Sequence, residues 1–89
     1  MKKLSAKQFL NEELRHRLRH MREDLGLSRP KMAELLDLPA TTLKNYELGY
    51  RETSALVLLA VLNHDDASIR AWGEYLTKVD APVPKVGGN

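Results

Sequence analysis

Residues 28–49 read SRPKMAELLDLPATTLKNYELG, a pattern that divides into two short helices around a tight turn. Ser28 is placed to cap the first of them, because its hydroxyl can accept an N–H that the opening turn leaves unpaired. Pro30 falls inside that opening turn, where a missing N–H is harmless. Met32, Ala33, Leu35 and Leu36 then recur with the spacing of one apolar helix face. Asp37, Leu38 and Pro39 read as the turn. Asp tolerates left-handed backbone better than most non-glycine residues, Leu38 is placed as a core plug, and Pro39 presets the φ of a new helix start. The second helix is expected from Pro39 or Ala40 to Leu48, with Gly49 ending it. Leu43 and Tyr46, with Glu47 beside them, share its inward side, whereas Ala40, Thr41, Lys44 and Asn45 share the other. Small and polar side chains thus stand where a fully buried helix would carry apolar ones.

Working outward, Ser5 and Gln8 have the spacing of a capping box, and Phe9, Leu10, Leu14, Leu18, Met21 and Leu25 follow as the inward face of a long first helix. Its other face carries Glu12, Glu13, Arg15, Arg17, Arg19, Arg22 and Glu23. Pairs such as Glu13 with Arg17 and Glu12 with His16 support an exposed helix by about 0.2–0.5 kcal/mol each. This charge therefore fits either a solvated face or one turned to a polyanion. Gly26 stops the helix and Leu27 folds back onto it.

On the other side, Tyr50, Arg51 and Glu52 form a polar loop, and Thr53 or Ser54 caps a fourth helix whose body, ALVLLAVL over residues 55–62, has no polar face. Such a helix is buried on more than one side, so part of it is expected to meet the next helix or a second subunit. A turn with a fresh cap at residues 63–66 introduces a fifth helix, marked by Ile69, Trp72, Leu76 and Val79 with Tyr75 alongside. Residues 80–89, DAPVPKVGGN, lack periodicity and read as an extended or disordered tail behind a domain of residues 1–79.

With 89 residues, 43% hydrophobic and 29% charged, the composition fits one all-α domain of five helices. There is no cysteine, which excludes a disulfide framework or a thiolate metal site. No run approaches the roughly 20 apolar residues of a membrane span, and no apolar stretch marks a signal peptide, so a cytoplasmic location is expected. The net charge of +2 is unevenly placed: residues 1–31 hold nine Lys or Arg against four acids, and residues 52–89 hold three against five. The basic half is where a polyanion would sit.

Arg29 and Lys31 oppose the dipole at the start of their helix, an arrangement that makes sense if a phosphate docks there; two solvated cations are the plainer alternative. His16 and His20 share a helix face, but no third ligand and no metalloprotease glutamate accompanies them. They read as phosphate contacts or exposed residues, not metal ligands. No cysteine nucleophile or Gly-rich phosphate loop is present, and Asp65-Asp66 falls where a helix cap is needed, so neither an enzyme, a cofactor nor a small-molecule ligand is expected.

Across Leu18 to Leu62, the segments LRHMREDLGLS, MAELLDLPATTLKNYELGYRE and LLAVL resemble the phage-repressor-like helix-turn-helix family of lambda-type repressors and Cro proteins. That resemblance implies a compact five-helix DNA-binding fold whose third helix enters the major groove. Thr41, Lys44 and Asn45 then occupy the base-reading positions, with Ala40 able to meet a thymine methyl. Arg29 and Lys31, with Thr42, Tyr50 and Arg51, would contact the DNA backbone, and Arg22 with Glu47 would form a scaffold ion pair. One such helix reads few base pairs, so a homodimer on an inverted-repeat operator is implied. Leu58, Leu62, Ile69, Trp72, Tyr75 and Leu76 are the candidate interface, although Trp72 equally suits a core. Departures from the family pattern are Asp37 for Gly, Pro39 for Ser or Thr, Arg29 for Gln and Lys31 for an acid. The last two shift weight toward phosphate attraction. Lys2, Lys3 and Lys7 either follow the DNA backbone or serve solubility. The competing expectation is an antitoxin or protein-interaction module built on the same scaffold.

Overall fold

The computed structural model describes residues 5–84, so Lys2, Lys3 and the last five residues of the expected tail lie outside it. Five helices follow in order: α1 (Ala6–Asp24), α2 (Arg29–Leu35), α3 (Ala40–Glu47), α4 (Ala55–Leu62) and α5 (Ala67–Thr77), with no strand among the described residues. The all-α, five-helix fold expected from the sequence is the one observed. Side-chain caps begin four of the helices. Ser5 and Gln8 form the reciprocal capping box, Ser28 accepts from the Lys31 N–H, Ser54 from Leu56, and Asp66 from Ser68.

The first three helices all end in the same way. After α1 the Gly26 and Leu27 N–H groups return to the Glu23 and Arg22 carbonyls, after α2 those of Asp37 and Leu38 return to Glu34 and Ala33, and after α3 those of Gly49 and Tyr50 return to Tyr46 and Asn45. This double bond pattern needs a left-handed residue at its centre. Asp37 supplies it at φ 58° without being glycine. The sharp reversal it makes sets α3 across α2, and Leu38 packs against the core from within that turn.

The core gathers one face from every helix: Leu18 and Met21, Met32, Ala33 and Leu36, Leu43 and Tyr46, Val57 and Val61, and Ile69, Trp72, Tyr75 and Leu76. Three expectations change here. Phe9 and Leu10 are about half exposed and lie outside the buried core. α5 stops at Thr77, leaving Val79 exposed beyond it. Arg17, read as part of the solvated charge, is instead a clasp. Its guanidinium donates to the Tyr75, Lys78 and Val79 carbonyls at 2.7, 2.9 and 2.6 Å and lies 4.7 Å from the Tyr75 ring centre. It thereby supplies donors to carbonyls at and just beyond the end of α5, where the helical bonds run out; the Lys78 carbonyl also accepts from the Ala81 N–H at 3.1 Å.

α4 and α5 approach closely because Gly73 has no side chain. A Cβ there would lie 2.8 Å from Leu62 Cδ2 and 3.0 Å from Leu62 Cα. Gly73→Ala is therefore expected to force the two helices apart and cost about 1–3 kcal/mol, read as a lower urea midpoint with an unchanged slope.

Candidate nucleic-acid interface

α3 is anchored from below by Leu43, Tyr46 and Glu47, all buried, which leaves Ala40, Thr41 and Lys44 exposed and Thr42 and Asn45 half-buried. The base-reading candidates thus lie together along the outer side of one helix. The Asn45 carbonyl accepts from both Tyr50 (2.9 Å) and Arg51 (3.2 Å), so the loop that carries the two backbone-contact candidates is tied to the end of that same helix. Tyr50 is 74% exposed. Arg51 lies over the Tyr46 ring at 5.9 Å, a contact that uses the face of the guanidinium and not its N–H groups.

Ion pairing divides the cations sharply. Lys7 pairs with Glu52, Arg15 with Glu12, Arg17 with Glu13, Arg19 with Glu23, Arg22 and Arg29 both with Glu47, and Lys78 with Glu74. Among the described residues, Lys31, Lys44, Arg51 and Arg70 have no carboxylate partner, and Arg70 is turned to the His64 and Asp65 carbonyls. The free cations therefore belong to α2, α3 and the loop after α3. Three of the arginines of α1, Arg15, Arg17 and Arg19, are paired with acids of α1 itself. Lys7 is likewise engaged, with Glu52, which also accepts from Asn11 at 3.2 Å.

Behind this surface, Glu47 is shared by two arginines. Arg22 reaches its carboxylate twice, through Nε at 2.7 Å and Nη2 at 3.1 Å, and Arg29 Nε reaches Oε1 at 3.1 Å. The Glu47 hydrogen bond raises the Arg22 guanidinium pKa above its ordinary value, outweighing the opposing effect of burial. Arg22 also donates to the Leu27 carbonyl at 3.1 Å, and Arg15 to that of Glu47 at 3.4 Å. These contacts join α1, α2 and α3 into one frame. The link from Arg29 to Glu47 was not read from the sequence, since the two lie eighteen positions apart; the exchange of a common Gln for Arg at position 29 was the only signal.

Other candidates move away from the surface. Ile69, Trp72, Tyr75 and Leu76 are buried in this chain's own core, so they cannot form a subunit interface without opening the domain. Leu58 and Leu62 are half-buried. The exposed large apolar residues of α4 are Leu56 and Leu59. His20 turns inward: Nδ1 lies 3.0 Å from the Tyr75 hydroxyl, and the ring meets Trp72 and Tyr75 edge to face. His16 stays exposed near Glu12. No three potential metal ligands cluster among the described residues, and no helix there is long and apolar enough to cross a membrane. An open groove of about 340 Å³ between α1 and the loop after α3 is lined by Asn11, Arg15, Tyr46, Arg51, Glu52 and Thr53; of its two cations, Arg15 is paired with Glu12 and Arg51 lies over the Tyr46 ring.

A family model described as a helix-turn-helix domain matches residues 13–69, from within α1 to the first turn of α5. No curated protein and no solved structure matches the chain.

Proposed function

For a chain that belongs to the helix-turn-helix domain family, as this one does, we propose sequence-specific binding of double-stranded DNA, as a homodimer on an inverted-repeat operator, that represses transcription. The observation that carries this reading is the distribution of unpaired cations. Lys31, Lys44 and Arg51 flank the exposed side of α3, while the cations of α1 are held by carboxylates. Lys44 can donate to guanine, Asn45 can pair with adenine, and Ala40 and Thr41 are small enough to admit a base edge or a thymine methyl. Tyr50 and Arg51 reach the backbone.

Dimerisation follows from the size of the reading surface: a few side chains specify a few base pairs, and a second copy one helical turn away multiplies the discrimination. Leu56 and Leu59, 75% and 53% exposed on α4, are the apolar residues best placed to meet that copy. The same exposure, together with Phe9 and Leu10, also suits a protein partner such as a toxin, which keeps a protein-interaction module as the second reading.

Selection from random-sequence duplexes with the purified protein tests both. An inverted repeat is expected; recovery of no sequence at all would leave the interaction module as the better account. On a selected site, Lys44→Ala and Asn45→Ala are expected to relax preference at single base pairs, each by about 1–3 kcal/mol. Arg51→Ala is expected to weaken all sequences alike. Uniform loss in all three would remove α3 from the groove.

A further inference from the structure

On the premise of that DNA-binding reading, we propose that Glu47 is a positioning residue, which holds Arg29 so that its free guanidinium edge receives a DNA backbone phosphate. The Glu47 side chain is fully buried, and both of its oxygens are taken by Arg22. Oε1 is shared with Arg29, which approaches through Nε alone. Neither Nη nitrogen of Arg29 has a partner among the described residues, and its side chain is 32% exposed. A guanidinium fixed at Nε presents its two Nη groups as a fork, the geometry that matches two oxygens of one phosphate.

Charge points the same way. One buried carboxylate faces two guanidinium groups, so the cluster carries one positive charge in excess, and among the described residues no further carboxylate is paired with Arg29, Lys31 or Arg51. An anion at Arg29 would complete it. The arrangement also connects parts: Glu47 is the last residue of α3 and Arg29 the first of α2, so a phosphate bound at Arg29 is tied through one carboxylate to the helix that reads bases. A lysine at position 29 would keep the charge but lose both the Nε anchor and the fork.

The experiment is a double-mutant cycle on duplex affinity, measured with the full chain and a mixed-sequence 30-base-pair duplex over a series of salt concentrations. Arg29→Ala is expected to weaken binding about tenfold and to reduce the slope of log affinity against log salt by about 1 for each protomer. Glu47→Gln, which keeps the shape but not the charge, is expected to weaken binding several-fold when Arg29 is present and to have no effect in the Arg29→Ala background. An equal loss in both backgrounds would overturn the positioning role and leave Glu47 purely structural. If Glu47→Gln does not fold, Arg29→Lys decides: a retained salt slope with several-fold weaker binding supports the proposal, and unchanged affinity overturns it. Unchanged affinity and slope in Arg29→Ala, with Arg51→Ala still weakened, sinks this inference alone. Failure of the wild-type chain to bind any duplex would sink the DNA-binding reading itself.

Discussion

Glu47→Ala is expected to lower the folding free energy by about 3–5 kcal/mol, the cost of breaking a buried ion pair by removing one partner. The carboxylate is fully buried and is the acceptor for three guanidinium nitrogens, two from Arg22 and one from Arg29. Its loss leaves Arg22, whose side chain is only 15% exposed, charged and facing a cavity, with the Leu27 carbonyl as its remaining acceptor. Arg22 cannot shed its proton to escape that cost, because a guanidinium stays charged at any accessible pH. Small domains have about 5–15 kcal/mol of stability in total, so the variant would sit near its unfolding threshold. A fall in melting temperature of roughly 15 °C or more is expected by circular dichroism. The control is Glu12→Ala, which removes the exposed partner of Arg15 and should cost no more than about 1 kcal/mol. A loss below about 1 kcal/mol for Glu47→Ala would mean that α1, α2 and α3 are held together by apolar packing alone.

That ion-pair frame also marks where the sequence stops being readable. Caps and helix ends were legible because they are local: Ser5 with Gln8, Ser28, Gly26, Asp37 and Gly49 each act within a few residues of themselves. The inward face of α3 was legible for the same reason, since a period of 3.6 decides which side Leu43 and Tyr46 share. What depends on packing between helices was not. Arg17 has the spacing of an ordinary solvated pair with Glu13, yet its guanidinium reaches carbonyls about sixty residues away. The apolar pattern of α5 fits a core and an interface equally well, and Trp72 could be assigned only once the close approach at Gly73 placed α4 against it. On α4 no polar residue distinguishes one side from another, so the sequence could not say that Val57 and Val61 turn inward while Leu56 and Leu59 stay exposed.

The second large effect is expected in salt. If Arg29, Lys31, Lys44 and Arg51 each neutralise a phosphate or lie within its counterion atmosphere, a dimer engages between about six and eight phosphates. The slope of log affinity against log salt is then about −5 to −7. Raising salt from about 50 to 200 mM should weaken binding to a mixed-sequence duplex by roughly three to four orders of magnitude. The slope is set by which cations are free. Counting every Lys and Arg of residues 1–31 would give a much steeper dependence, but Arg15, Arg17 and Arg19 are paired with their own helix's acids. Lys31→Ala should therefore reduce the slope by about 2 in a dimer, one for each protomer, whereas Arg19→Ala should leave it unchanged. The same measurement bears on assembly, because a monomer presents half the contacts and gives half the slope. A shallow slope that doubles when two half-sites are joined at one-turn spacing would place dimerisation on the DNA. A slope near zero at every spacing would mean that Lys31, Lys44 and Arg51 face no phosphates, and the exposed side of α3 would then have to serve a protein.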